Sequence, residues 1–285
     1  MNIWQKMLAI DRRIIYTALL LVIAWPTMAP WGLPIRVGPE ANGFYETMEA
    51  VPAGSRVAIA IDYRSDYITE LNPMTTTVFA HAMERGLKVI LWAGVDEGAN
   101  LAHNICVPIA EAMGKEYGVD WINLGYKPLT DVLLNKMVGD FWEAVAYTEI
   151  EGRHIEQFPI MAGFDSLGDA ALLVSISGVT PGPHRYIQMV TIPTGIDMVI
   201  AIGSVDVAVQ MPYYASGQYL GLLGGLRGAA EYEFLTNRAG PAIAGMDAQS
   251  AAHVLIIVLI ILSNIGFFIT RRGPAIDAAD GGERS

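Results

Sequence analysis

Two stretches of this chain carry no charged side chain, and they lie at its two ends. Residues 14–35 are 22 uncharged positions between Arg13 and Arg36, and residues 248–270 are 23 more between Asp247 and Arg271. About 20 apolar residues make a helix that crosses the hydrocarbon core of a bilayer. The second run contains VLIIVLIILSNIGFFIT and reads as a transmembrane helix. His253, Ser263 and Asn264 within it read as positions that hydrogen-bond to a neighbouring helix. The first run is apolar from Ile14 to Trp25, then meets Pro26, Pro30 and Pro34, which kink or end a helix. A cleaved signal peptide would have the same basic start, with a cut after Ala29. Pro30 is a poor neighbour for such a cut, so the run reads as an uncleaved anchor.

Flanking charge sets the orientation. Lys6, Arg12 and Arg13 precede the first run and Arg271-Arg272 follow the second, which places both termini in the cytoplasm. The chain then divides into a cytoplasmic N-terminus (1–13), a first span (14–35), an extracytoplasmic domain (36–247), a second span (248–270) and a polar tail (271–285). The central segment holds 12 Lys and Arg against 25 Asp and Glu, a formal −13. An acidic domain argues against a nucleic-acid partner, whose binding surface would be basic. The single cysteine excludes an internal disulfide and a Cys-rich metal centre.

Five short apolar runs punctuate the central segment: 56–63, 87–95, 121–126, 171–178 and 197–205. They are nearly continuous rather than alternating, as in strands buried on both faces of a parallel sheet. Helical stretches separate them at 75–85, 99–117, 129–147 and 183–191, the first closed by Gly86 and the second by Gly118 with Pro108 inside. Strand–helix alternation predicts an α/β fold: a doubly wound, mostly parallel, five-stranded, Rossmann-like sheet between N- and C-terminal transmembrane helices. The 44-residue link from Lys127 to Ala170 exceeds one crossover helix and predicts a lid, an insertion or an extra strand.

The segment Pro212–Asn237, PYYASGQYLGLLGGLRGAAEYEFLTN, reads as one helix despite five glycines. Gly217, Gly221, Gly225 and Ala229 recur every fourth residue, with Gly224 and Gly228 beside them. Small residues at that spacing let a second backbone approach closely. The ridge therefore packs on its own sheet or forms the interface of a homo-oligomer; entry of 207–226 into the membrane is a third option. Arg227 and Glu231, four apart, form a solvated pair.

Ligands of open parallel sheets sit beyond the carboxyl ends of the strands. Polar residues follow each predicted strand there. Asp62, Asp96 and Asp206 are the candidate acid–base or metal-binding carboxylates. Arg64, Asp66, Glu97, Lys127, Ser177 and Arg185 are candidate ligand contacts, and ordinary turn chemistry is the alternative for all of them. No G-x-G-x-x-G follows a strand and no Walker loop occurs, so no nucleotide cofactor is implied, and the cofactor stays unknown. His103 and Cys106 are spaced to meet on a helix but read as core residues. GFDSLG at 163–168 departs from the nucleophile-elbow spacing, and no His or Cys spacing marks a metal site.

The sequence thus predicts a membrane-anchored domain whose partners are the lipid bilayer and other copies of itself, and which binds a ligand or protein. The alternatives are an extracytoplasmic hydrolase or transferase using the strand-end carboxylates, and an accessory subunit packed on a membrane-protein partner.

Overall fold

A computed structural model describes residue 4 and residues 10–179 and 182–271. The chain divides into two compact units: residues 34–243, and the terminal segments 1–33 with 244–285. The tail from residue 272 onward, with Arg272, and Lys6 near the N-terminus lie outside the described residues.

The central unit is an α/β domain whose sheet has six strands, all parallel. They are β1 (Arg56–Asp62), β2 (Lys88–Ala93), β3 (Trp121–Tyr126), β4 (Leu172–Ser177), β5 (Met198–Ile202) and β6 (Gly221–Gly224), in the order β3-β2-β1-β4-β5-β6. The five predicted runs are the first five strands, each trimmed by at most three residues at an end. Every residue of β4 and β5 is buried, as continuous apolar runs require when both faces of a sheet are covered.

Alternate side chains feed two cores. On one face Ala58, Ala60, Ile90, Trp92, Leu173 and Ile200 pack beneath the links β3–β4, β4–β5 and β5–β6. The other face is covered by helices α2 (Pro39–Ala50), α3 (Ile68–Glu84), α4 (Gly98–Ala112) and α7 (Gly225–Leu235). Prolines 73 and 108 lie inside α3 and α4 rather than at their borders. Helix α3 therefore starts seven residues before the predicted Thr75.

The long β3–β4 link contains no strand. It folds as α5 (Asp131–Gly139), a helical turn at Phe141–Ala144 and three single 3-10 turns, and its Phe141, Ile155, Ile160 and Phe164 complete the first core. It is an apolar cover for the sheet rather than a separate lid.

The predicted glycine-rich helix is overturned. Residues 207–235 form helix α6 (Val207–Ala215), a turn with Gly217 at φ +77°, strand β6, and α7 opening on Gly225 at φ +57°. The competing cause is edge pairing. Leu222 and Leu223 pair with Ile200 and Ala201 of β5, and extended backbone there is rewarded by ladder hydrogen bonds that a glycine-laden helix lacks.

Among the described residues, one helix is long and apolar enough to cross a membrane, Pro241–Thr270, within α8 (Pro241–Arg271). The first charge-free run is not a single helix. It forms α1 (Arg12–Met28), 17 residues with Pro26 in its last turn, followed by irregular chain. At 1.5 Å per residue α1 is about 25 Å long, short of the roughly 30 Å hydrocarbon core. Asp11 caps its first turn, accepting from Arg13 N.

Candidate strand-end site

Beyond the carboxyl end of β1, chain direction and strand order make a topological switch point: β2 lies on one side of β1 and β4 on the other, and the connections leave to opposite faces. Asp62, the last residue of β1, stands there. Strand alternation sends its side chain, like those of Ala58 and Ala60, under the β3–β4 and β4–β5 links. Its carboxylate is fully buried. Oδ1 accepts from Gly94 N at 2.7 Å and Oδ2 from the Tyr186 hydroxyl at 2.8 Å. Loss of hydration outweighs these two donors and lifts its pKa from 3.8 to about 6. Gly94 is required: a Cβ there would fall 2.5 Å from Asp62 Oδ1.

Ser177, at the end of the neighbouring β4, is level with Asp62 in the ladder and equally buried. Its hydroxyl lies 3.5 Å from Asp62 O. Two strand residues further in, the buried Ser175 hydroxyl has no hydrogen-bond partner.

The other predicted residues occupy the rim. Arg64 Nε lies 3.4 Å from Asp96 Oδ1, and both side chains are exposed. Glu97 accepts from Ser65 N at 3.0 Å and Ser65 Oγ at 2.5 Å, and these bonds hold its carboxyl below the usual range. Asp66 is exposed. Asp206 is partly buried; desolvation, then the nearby Glu70 carboxylate, raise its pKa. Glu70 itself is held by Ser204 N and Oγ at 2.7 and 2.8 Å.

Tyr67 was not singled out by sequence, yet it organises this end of the sheet. Its ring lies against Gly178 and Gly203, the residues that follow β4 and β5, and a Cβ at either position would overlap the ring. Burial, then the charges of Asp206, Asp66 and Glu70, push its phenol pKa upward. The backbone that a bound ligand would approach over β4 and β5 is thus covered by the chain's own aromatic ring.

Two predicted cationic contacts have internal partners. Lys127 Nζ donates to Val145 O at 2.7 Å and Thr148 O at 3.4 Å, and burial lowers its pKa. Arg185 pairs with Asp131 at 2.7 Å. The structure therefore brings Asp62 and Ser177 together in the interior, and Arg64, Asp96 and Glu97 together on the rim. Asp62, Asp96 and Asp206 have three different sets of partners. Sequence reading singled out neither Tyr186, in the segment PHRY, nor Gly94, in the WAG that closes β2.

The proposed small-residue ridge has no common helical face. Gly217 is exposed in a turn, while Gly221 and Gly224 belong to β6. Gly225, Gly228 and Ala229 are buried in α7. A Cβ on Gly221 would fall on the backbone of Phe44, and one on Gly43 would approach Leu220 O to 2.5 Å. The close backbone approach is real, but it is α2 against β6 within one chain. Arg227 does pair with Glu231, at 2.7 Å, although Glu231 is buried rather than solvated.

Comparison with known proteins brings no match: no family model, no curated protein and no solved structure is significantly similar to this chain.

Proposed function

We propose that this chain is a membrane-anchored α/β domain that acts by binding, with both termini in the cytoplasm and residues 36–247 outside it. The observation that carries the reading is the character of α8. Val254, Ile257, Val258, Ile260, Ile261, Phe267 and Phe268 are all exposed on a helix long enough to cross a bilayer. An apolar surface of this length needs lipid or another apolar helix around it.

A second span through α1 is supported by its exposed Ile14, Leu20, Leu21, Ile23 and Trp25. It is also supported by Asp247, which accepts from the amides of Trp31, Gly32 and Leu33 and so ties the far end of α1 to the base of α8. Binding is favoured over catalysis because the three candidate carboxylates do not converge and Tyr67 covers the strand ends. The partners in this reading are the bilayer, further copies of the chain and, as an accessory subunit, another membrane protein.

Protease added to sealed, right-side-out vesicles should digest residues 36–247 and spare the tail. Digestion only from the cytoplasmic side would refute the topology. A strict monomer on sizing in detergent would remove self-assembly from the proposal.

A hydrolase or transferase remains the second reading because Asp62, poised at about pH 6 beside Tyr186, has the ionisation of a general acid–base group. Loss of a measured activity in Asp62→Asn, with the fold intact, would favour it.

A further inference from the structure

A cavity of about 390 Å³ opens beside the start of β3, on the edge of the sheet and away from the strand ends that carry Asp62. Its volume falls within the range of sites that hold small organic ligands. One wall is the outer face of α4, with Val107 and Ala110. The opposite side is aromatic: Tyr117 packs edge-on against Trp121 at 4.8 Å between centroids. These residues give the seat an aliphatic wall and an aromatic one.

Three donors border the seat. The first is Arg153, whose orientation is fixed in advance. Its guanidinium lies over both the Tyr117 and Phe158 rings, 5.2 and 5.1 Å from their centroids. Its Nε donates to the buried Glu149 at 3.2 Å, and Glu149 is held from the other side by the Tyr117 hydroxyl at 2.7 Å. The second is Lys115, whose ammonium has no hydrogen bond or ion pair among the described residues. The third is His103. Its Nδ1 is buried without a hydrogen-bond partner, so in the neutral ring the proton belongs on Nε2, where it can be donated. A native protein rarely leaves buried polar atoms unpaired without a reason.

The acidic residues decide the charge of the ligand. Glu151 is already engaged by Arg153 at 2.9 Å, and Glu111 stands exposed at the mouth. Glu149 also engages Arg153, so Lys115 is the one cation left uncommitted beside these three carboxylates, and a single uncommitted ammonium favours a monoanion over a phosphate dianion. We propose that this cavity binds a small planar aromatic molecule carrying one carboxylate. The ring lies between α4 and the Tyr117–Trp121 pair, and the carboxylate meets Lys115, Arg153 and His103 Nε2. This site is independent of the membrane reading.

The test is calorimetric titration of the full chain in detergent with indole-3-acetate, phenylacetate and 2-naphthoate. Tryptamine and inorganic phosphate serve as charge controls. At least one aromatic carboxylate should bind saturably at one per chain, at least tenfold tighter than tryptamine or phosphate. Lys115→Gln, at a half-buried position after the end of α4, should weaken it fivefold or more. Val107→Trp, which fills the seat from a half-exposed helix position, should abolish it while the melting curve stays cooperative. The proposal is overturned if none of the three carboxylates binds, if tryptamine or phosphate binds as well, or if both variants bind like the parent chain.

Discussion

The Tyr186 hydroxyl donates to Asp62 Oδ2 at 2.8 Å, and both side chains are fully buried. The pair joins the end of β1 to the helical turn after β4, and Gly94 N completes the carboxylate's contacts. Because burial raises the Asp62 pKa from 3.8 to about 6, the folded chain holds this proton more tightly than the unfolded chain. Its contribution is therefore fully present below about pH 3.8 and is lost as pH rises through 6. By neutral pH the ionised carboxylate costs on the order of 3 kcal/mol. Asparagine has nearly the same shape, can accept from Gly94 N and can donate to the Tyr186 oxygen. Asp62→Asn should thus raise the melting temperature at pH 7.5 and flatten the stability loss between pH 4 and 7. A variant that is less stable than the parent at pH 7.5 would show that the charged form is the one the fold prefers.

Gly221 and Gly217 separate close packing from backbone freedom. At Gly221 a methyl group would meet Phe44 backbone, and neither α2 nor β6 can move without disturbing the other. At Gly217 nothing lies within 4 Å and only the positive φ resists substitution. Gly221→Ala should cost about 3 kcal/mol or more, and Gly217→Ala about 1 kcal/mol. Denaturant midpoints measure both. Equal losses would mean that α2 does not pin β6.

The five strands were readable because each is a short, nearly continuous apolar run, most of them rich in Val and Ile, and such runs have few alternatives once helices separate them. β6 was not readable for the opposite reason. GLLG is too short and too glycine-rich to carry a strand signal, and the four-residue spacing of its glycines imitates a helical face. Proline was over-read at positions 73 and 108, where tertiary packing holds α3 and α4 together despite the lost amide. At the strand ends, sequence order located Asp62, Asp96 and Asp206 correctly with respect to the strands. It could not say which way each side chain turns. Strand parity sends Asp62 inward, while the loop residue Asp96 faces solvent. Nor could it reveal Tyr67, whose role depends on glycines more than 100 residues away along the chain.

Lys127 Nζ bonds to Val145 O and Thr148 O, which flank Ala146 and Tyr147, two consecutive non-glycine residues at φ +57° and +56°. Left-handed backbone costs such residues roughly 1 kcal/mol each, so the lysine holds a segment that would otherwise relax. Lys127→Met keeps most of the stem and removes the donor. It should destabilise the domain by about 1–3 kcal/mol. Its clearest mark should be faster amide exchange and proteolysis at residues 145–148, with β1 to β5 still protected. Unchanged exchange there would return Lys127 to the pool of ligand-binding candidates.

Asp247 is 2% exposed and accepts from three successive amides, Trp31 N at 2.7 Å, Gly32 N at 2.9 Å and Leu33 N at 3.2 Å. Such a run of amides is a small anion-binding nest, here closed by the chain's own carboxylate. Gly32 takes φ +63° within it. Alanine at 247 would leave three amides without their acceptor, whereas asparagine keeps one oxygen but loses the charge that strengthens each bond. Amide exchange at 31–33 in detergent should therefore accelerate in the order parent, Asp247→Asn, Asp247→Ala, with protection in the sheet unaltered. If both variants exchange like the parent, this carboxylate does not hold the segment after α1. The argument that the two terminal helices leave from a common end then loses its structural support.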